Sequence, residues 1–502
     1  MDVSRWMDRA GFVGTSGGIL ASGAYQAASV LFVRVEIASV VLVVALFQAV
    51  LSSIAVTAFV GLSGLLFAHA LRRDGRSTAG ETDGGRVAAV VPVYGDDAAL
   101  DRSVRSLLSS SYENLTVYVV CEPDDPASRQ RAGALADHER VERLVNGTEP
   151  GTKAGAIDHA VARTESEYVA VFDADELVDP EFVGHAVAAL GDCDVVQGRT
   201  VPEPTGAIEA LAYYESVLLS YVSRRLLYLL TEFRMASSRA VVMRRDAFER
   251  VGGYDPAMLT EDFDFAYRCY AERLDVRETV AYPSRIEAAH SLRDWWGQRK
   301  RWMTGYAQVL HRLGTDVDSR DPRSLLSTGI CAGTLVGNAL MLSLLSKFLV
   351  LLVVGAEAWF LPPLGAVTVV ILGVRLHDAR TIDLPRPGVY WVAAPALFPL
   401  YGLTMVKAAF EYLLTWDGGW YAVEKARPRA CSRRPRQSSV AFVRPDRHRR
   451  SVSGTHSNET PPWVLPVLLA AVLAVVLGVL LAILEVYGSG DLLLGLRLVR
   501  LA

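Results

Sequence analysis

Long charge-free runs flank a central block of mixed polarity in this chain. Ile37–Leu71 contains no Asp, Glu, Lys or Arg over 35 positions. One bilayer crossing takes ~20 apolar residues, so this run predicts at least one transmembrane helix, long or tilted. Gly11–Val33 is also free of charge but rich in Gly, Ser and Ala; it reads either as a first span, in a hairpin across Arg34–Glu36, or as an interfacial segment. Arg72, Arg73 and Arg76 follow the run, which favours the cytosolic side for what comes next. Beyond Arg320 hydrophobicity returns. Ser324–Ser346 and Phe348–Val374 predict two spans with Lys347 at their junction, and Trp463–Leu484 predicts another of 22 residues without charge. Gly388–Leu414 is apolar but holds prolines, Lys407 and Glu411. A cytosolic basic segment after it needs an even number of crossings, which favours an interfacial or re-entrant helix there.

Between these runs the period changes. Arg86–Tyr94 (RVAAVVPVY) and Leu115–Glu122 (LTVYVVCE) are continuous, β-branched apolar runs of the kind that form buried parallel strands. Ser103–Tyr112 and Lys153–Arg163 read as helices, and Tyr168–Asp175 (YVAVFDAD) as a further strand. Strand and helix alternating at this spacing predict a parallel α/β sheet that takes its ligand at the carboxyl ends of the strands. The expected organisation is a membrane region at 1–73, a catalytic domain at 86–291 and an amphipathic interfacial segment at 292–323. Spans with a possible interfacial helix follow at 324–415, then a basic cytosolic segment at 416–461 and a last span with its tail at 462–502. Asp74–Gly85, rich in Gly, Ser, Thr and acid, is the first boundary by composition.

Composition narrows the partners. The net charge of −4 hides an asymmetry: Leu71–Arg320 holds 41 acidic against 30 basic side chains, while Lys425–Arg450 holds ten basic residues and Asp446 as its one acid. An acidic catalytic block argues against nucleic acid, which needs clustered Lys and Arg. The basic run is either a disordered tail or a segment lying against anionic lipid headgroups. Cys121, Cys193, Cys269, Cys331 and Cys431 are scattered without a CxxC pair, giving neither a zinc site nor a disulfide framework; they suit a reduced, cytosolic domain. The start, MDVSRWMDRAGF, lacks the features of a cleaved signal peptide. Lysine is rare, five residues against 46 arginines, a bias that suggests a GC-rich genome.

Three motifs carry the chemistry. VFDADE (Val171–Glu176) ends an apolar strand in acids. Asp173 and Asp175 share a strand period and so point the same way. Two hard oxygen donors beside a diphosphate suit Mg2+ or Mn2+, with waters and phosphate oxygens completing the shell. A capping cluster for the following helix is the plainer alternative, but buried acids without a cation are costly. Lys153, in the glycine-flanked turn of GTKAG, combines a helix N-terminus with a point charge for phosphate. The second motif is TED (Thr260–Asp262), which opens a helix after Gly252 and Gly253. The third is QRKRW (Gln298–Trp302), on an amphipathic stretch Leu292–Leu310 that also carries Trp295, Trp296 and Tyr306. Aromatics at the headgroup level of an interfacial helix would read the same way.

The order of these motifs, inside a soluble-looking block enclosed by hydrophobic spans, resembles the membrane-embedded family 2 glycosyltransferases, the group of cellulose, chitin and hyaluronan synthases. The resemblance covers Arg86–Tyr306. It implies a GT-A-like α/β catalytic domain, Rossmann-like with a parallel or mixed sheet, joined to an α-helical transmembrane region. It implies a nucleotide-sugar site at Tyr94, Lys153 and Asp173, with Arg301 on the diphosphate. The family places a carboxylate against uracil and ribose in the second strand-end loop. Here that loop is CEPDDP, where Glu122, Asp124 and Asp125 are alternatives; the departure opens the identity of the base. Asp262 takes the place of the general base, which accepts the proton of an otherwise poor hydroxyl nucleophile. Acids at a helix start also suit the helix dipole, a role open to Glu261 and Asp264. Gln298, Trp302, Glu261 and Gly253 fall on the acceptor side, Trp302 below the acceptor sugar and Gly253 where backbone approaches the sugar closely. Gln197–Arg199 is a further candidate for the acceptor channel.

The function expected on this reading is inverting transfer from a UDP-linked sugar to a growing polysaccharide at the cytosolic membrane face, with the product fed through the protein's own helices. Partners would be a nucleotide sugar, a glycan or lipid-linked acceptor, and the bilayer. One alternative is single transfer to a lipid or polyprenyl carrier. Another, from a different class, is a non-catalytic scaffold that keeps the fold; a binding-only descendant would have no chemical need for Asp262.

Overall fold

The computed structural model describes residues 35–74, 80–315, 317, 320–382, 384 and 388–415. The expectations for Gly11–Val33, Cys431, Lys425–Arg450 and Trp463–Leu484 lie outside the described residues. The chain divides into two compact units, one of 52–348 with 357–443, the other of 1–51, 349–356 and 444–502. The first holds the sheet and every motif, and the site below belongs to it.

Seven strands form one sheet: β1 Val87–Val93, β2 Leu115–Cys121, β3 Val141–Val145, β4 Tyr168–Val171, β5 Val195–Pro202, β6 Val241–Arg244 and β7 Val276–Ile286, in the order β3-β2-β1-β4-β6-β5-β7. The pairs β1–β2, β1–β4, β2–β3 and β5–β7 are parallel, and β6 runs antiparallel to both of its neighbours. This is the GT-A-like mixed α/β sheet expected. Helices on both faces explain the unbroken apolar strands. Val87, Ala89, Val91 and Val93 share one core with Leu100, Val104 and Leu107, while Val90 turns into the other, with Ile157.

Two elements differ from the sequence reading. The helix expected at Ser103–Tyr112 runs Asp97–Leu108; beyond it the Ser109 hydroxyl donates to the Ser106 carbonyl at 2.6 Å, the local bonding by which serines compete with helix continuation. Strand β4 stops at Val171, so Asp173 and Asp175 lie on the turn beyond it. Strand alternation therefore does not orient the pair. Asp175 is buried and Asp173 is partly open.

The apolar runs are helical. Val35–Asp74 has 40 residues, ~60 Å of helix against a hydrocarbon core of ~30 Å. Among the described residues three helices are long and apolar enough to cross a membrane, Val41–Asp74, Glu357–Thr381 and Val389–Thr415; a fourth results if the bent pair Pro322–Leu340 and Ser343–Val353 counts as one. The break expected at Lys347 falls elsewhere, because Lys347 lies inside the helix Ser343–Val353. The chain breaks instead around Met341–Leu342 and at Gly355, which has φ +69°.

Candidate active site

The site forms where the strand ends meet the reversed strand. Val171 on β4 pairs with Val241 on β6, so the residues two beyond each, Asp173 and Arg239, leave the sheet side by side. Arg239 Nη1 lies 3.8 Å from Asp173 Oδ2, and Lys153 Nζ donates to Asp173 Oδ1 at 2.5 Å. Lys153 is held there by its helix start, where the Thr152 hydroxyl accepts from Gly155 N–H at 3.0 Å. Arg239 belongs to no motif. Its placement follows from antiparallel pairing, a long-range fact that a scan of local patterns does not contain.

The second strand-end loop is pinned from inside. Glu122 is buried, and its carboxylate accepts from Asn146 Nδ2 at 2.9 Å and from Gly151 N–H at 2.7 Å. Burial pushes this carboxyl above its ordinary value, partly offset by those bonds. Asp125 accepts from Gly95 N–H at 2.7 Å and caps the helix Pro126–Leu135 through Ser128 N–H at 3.1 Å. Burial opposes its charge, but the hydrogen bonds win and hold it below the usual carboxylate range. Both acids thus brace the loop, tying β2 to the turns at Gly95 and Gly151. Asp124 is the exposed acid of CEPDDP. Tyr94 is half-buried, and burial and then Asp124 raise its phenol.

Thr260 is the N-cap residue of the helix Glu261–Ala271. Glu261 Oε1 accepts from the Ser238 hydroxyl at 2.9 Å; burial and then Asp262 push its carboxyl up, with Lys153 acting the other way. Asp262 is half-buried beside it. Gly253 has φ +69°, and a Cβ there would stand 2.7 Å from Asp158 Oδ1. The close approach that requires glycine is therefore to Asp158. That carboxylate also accepts from Tyr254 N–H at 3.2 Å.

The helix Leu292–Thr315 carries QRKRW and is stitched to the TED turn. Gln308 accepts from Leu259 N–H at 2.9 Å and donates to Ala257 O at 3.0 Å. The Phe263 and Tyr306 rings pack at 3.8 Å between centroids, and a Cβ on Gly305 would collide with Thr260. Arg301 is brought within electrostatic reach of Glu261, Asp262 and Asp173; burial pulls its guanidinium below the ordinary value against their support. Asp173 of DAD, Glu261 and Asp262 of TED and Arg301 of QRKRW thus share one charged cluster with Lys153 and Arg239.

Other expected residues sit apart from it. Gln197 accepts from Ser237 N–H at 2.6 Å and donates to Arg239 O at 3.0 Å, so it fixes the segment that presents Arg239. Arg199 is buried in a two-pronged pair with Asp378, at 2.8 and 2.5 Å. Trp295 is also buried, its Nε1–H donating to Glu215 Oε2 at 2.6 Å. A headgroup role for Trp295 is thereby excluded. Glu215, Asp158 and Asp378, all used here, had no local signal in the sequence.

Among the described residues no group of three or more His, Cys, Asp or Glu is placed to hold a metal ion. Asp173 and Asp175 offer two carboxylates, which fits a hard cation that takes its other oxygens from a diphosphate and water.

Residues 168–376 match the family model described as "Glycosyl transferase family group 2". The beta-monoglucosyldiacylglycerol synthase of Trichormus variabilis is 26% identical over 231 residues, covering 44% of this chain and 48% of that protein. Glucomannan 4-beta-mannosyltransferase 7 of Arabidopsis thaliana is 24% identical over 251 residues, covering 45% and 44%. The chain spans about half the length of these curated relatives. A solved mannosyltransferase from Pyrobaculum calidifontis, in complex with GDP-Man and Mn2+, aligns at 17% identity and a TM-score of 0.46 over 72% of this chain and 99% of that one. The matched stretch, 168–376, carries the Asp173–Asp175 pair, the TED turn and the QRKRW helix.

Proposed function

We propose that this protein transfers a sugar, with inversion, from a nucleoside diphosphate donor to a hydroxyl acceptor at the cytosolic face of a membrane. The observation that carries the reading is the shared cluster of Asp173, Lys153, Arg239, Glu261, Asp262 and Arg301 at the strand ends. Lys153, Arg239 and Arg301 supply positive charge where a leaving diphosphate would collect negative charge. Asp173 and Asp175 would hold Mg2+ or Mn2+, which when bound neutralises charge on the departing diphosphate. Asp262 serves as general base. The acceptor oxygen attacks the anomeric carbon, its proton passes to the Asp262 carboxylate, and the bond from that carbon to the diphosphate oxygen breaks with its electron pair leaving on the diphosphate. One base and in-line attack give inversion. Glu122 and Asp125 shape the base-binding loop, and Gln298 and Trp302 form the acceptor end.

A growing polysaccharide is the acceptor favoured by the QRKRW segment, in keeping with the glucomannan relative. A lipid acceptor is the second reading, favoured by the diacylglycerol-glycosylating relative. Purified protein in detergent, given UDP-glucose or GDP-mannose with Mn2+, separates them. Nucleoside diphosphate release with dioleoylglycerol and a single-sugar product supports the lipid reading; long products from a mannan oligosaccharide primer support the polymer. Release with no donor tested, under either acceptor, overturns the proposal.

A further inference from the structure

We propose that Glu215 is a positioning residue for the acceptor end of the site, acting through Arg299 on Trp302 and Gln298. The inference rests on the reading that Trp302 faces the acceptor. Glu215 ends the helix Ala207–Glu215, at the start of a π-helical turn Ser216–Val222, a distortion often kept where a side chain must be re-aimed. Its carboxylate collects four donor atoms from three side chains. Trp295 Nε1–H reaches Oε2 at 2.6 Å, Arg299 Nε reaches Oε1 at 2.9 Å, Arg299 Nη2 reaches Oε2 at 2.7 Å, and the Tyr401 hydroxyl reaches Oε1 at 2.6 Å. The Glu215 and Arg299 side chains are only 4% and 5% exposed, so the pair is shielded from water and salt.

This bonding fixes the plane of the guanidinium. Arg299 Cζ then lies 4.7 Å from the Trp302 ring centroid and 5.1 Å from that of Trp295, stacking distances for an arginine on an aromatic face. Its Nη1 also bonds to Gln298 Oε1. One buried carboxylate thereby sets the arginine, and the arginine contacts two residues of the segment, Gln298 and Trp302, that the functional reading puts on the acceptor. A second tie holds the same two elements together: His290, just before the QRKRW helix, bonds Glu209 of the helix Ala207–Glu215 at 2.6 Å. Neither Glu215 nor Arg299 is in the charged cluster assigned to the donor, so the pair acts on one end of the site alone.

The test separates acceptor use from donor use. Acceptor KM would be measured with the primer or lipid that supports turnover, and donor hydrolysis as nucleoside diphosphate release from the same donor without acceptor. Arg299→Lys keeps the buried charge balanced but removes the planar face and the fork. It should raise acceptor KM roughly tenfold or more, as small misplacements near a reacting group do, while donor hydrolysis stays within about twofold. Glu215→Gln should shift the same ratio in the same direction, and Glu215→Asp should recover part of it. Equal loss of both readouts in folded protein, or no change in acceptor KM for Arg299→Lys, overturns the proposal; if Glu215→Gln fails to fold, Arg299→Lys decides. Trp302→Ala distinguishes the underlying reading. An unchanged acceptor KM in that variant sinks the acceptor role of Trp302, and the proposal with it. A raised KM in Trp302→Ala but not in Arg299→Lys sinks the positioning role alone.

Discussion

The end of this site that we assign to the donor and the end that we assign to the acceptor are built by opposite strategies. At the donor end, the turns that follow β3 and β4 meet the segment that enters β6, and the charges they carry remain partly open: the Lys153, Asp173 and Arg239 side chains are 28%, 26% and 32% exposed. At the acceptor end a long helix carries the segment, and its alignment depends on a carboxylate and a guanidinium removed from water. The difference matches what each end must do. A diphosphate with a metal brings its own strong, long-range field, so the protein needs charges that can exchange water for ligand. A neutral sugar offers no such handle and is placed by shape, stacking and fixed hydrogen bonds, which demand rigid side chains. Substitutions should therefore fail in different ways at the two ends.

The largest effect is expected at the donor end. Asp175→Asn removes a hard anionic ligand without changing its shape, and should abolish transfer and metal-dependent donor binding in a folded protein. Donor binding measured against Mn2+ concentration checks it; ordinary turnover at limiting metal would remove the metal assignment. Next comes Asp262→Asn, which keeps packing but cannot take the proton. Turnover should fall by a factor on the order of 10²–10⁴ with donor affinity nearly unchanged. If affinity falls in step with turnover, Asp262 binds rather than acts as base, and both ends of the comparison have to be redrawn.

The buried strategy extends to the junction between the sheet and the apolar helices. Arg199 on β5 is paired with Asp378, which also accepts from the Tyr213 hydroxyl at 2.6 Å. Arg199→Met leaves a buried carboxylate without its cation and should cost about 3–5 kcal/mol, whereas removing both charges in Arg199→Met with Asp378→Leu should recover most of that. Thermal unfolding in one detergent reads both. A single variant that melts like the parent chain would mean the pair is already hydrated.

The same contrast explains what could be read from the sequence. The meeting of Lys153 with Asp173 was legible because a parallel sheet delivers its strand-end loops to one edge, and VFDADE and GTKAG mark those loops locally. The mixed sheet itself was legible for a similar reason, since apolar runs and turns are local features. Even there the strand β4 proved four residues shorter than the run Tyr168–Asp175 suggested, because apolar Phe172 and Ala174 are buried outside the sheet. Arg239 was invisible, since its partner Asp173 is set by antiparallel register across 66 residues of chain. The buried pairs were the least legible. Glu215 and Arg299 are 84 residues apart, and Arg199 and Asp378 are 179 apart. Each looks locally like an ordinary surface charge, and Trp295 looks locally like a membrane anchor until its indole N–H is found on Glu215.

Asp158 gives the smallest effect and the finest test, because it links the two strategies. It lies on the helix that starts at Lys153 and receives Tyr254 N–H beside Gly253. Burial is the main cause that raises its carboxyl to about 6, with the Tyr254 bond and Arg268 acting the other way. The folded value is above the unfolded one, so the contribution of this group to stability is fully present below about pH 4 and is lost as pH rises through about 6. Asp158→Asn keeps an oxygen for the Tyr254 N–H and removes the charge. The variant should match the parent chain near pH 4 and be more stable by about 1–2 kcal/mol at pH 8, a value discounted for partial solvent access. Melting temperatures of both proteins in one detergent, taken from pH 4 to pH 8, measure it. An offset that is the same at every pH would mean that Asp158 is as well solvated as the donor-end acids, and it would then belong with them rather than with the buried pairs.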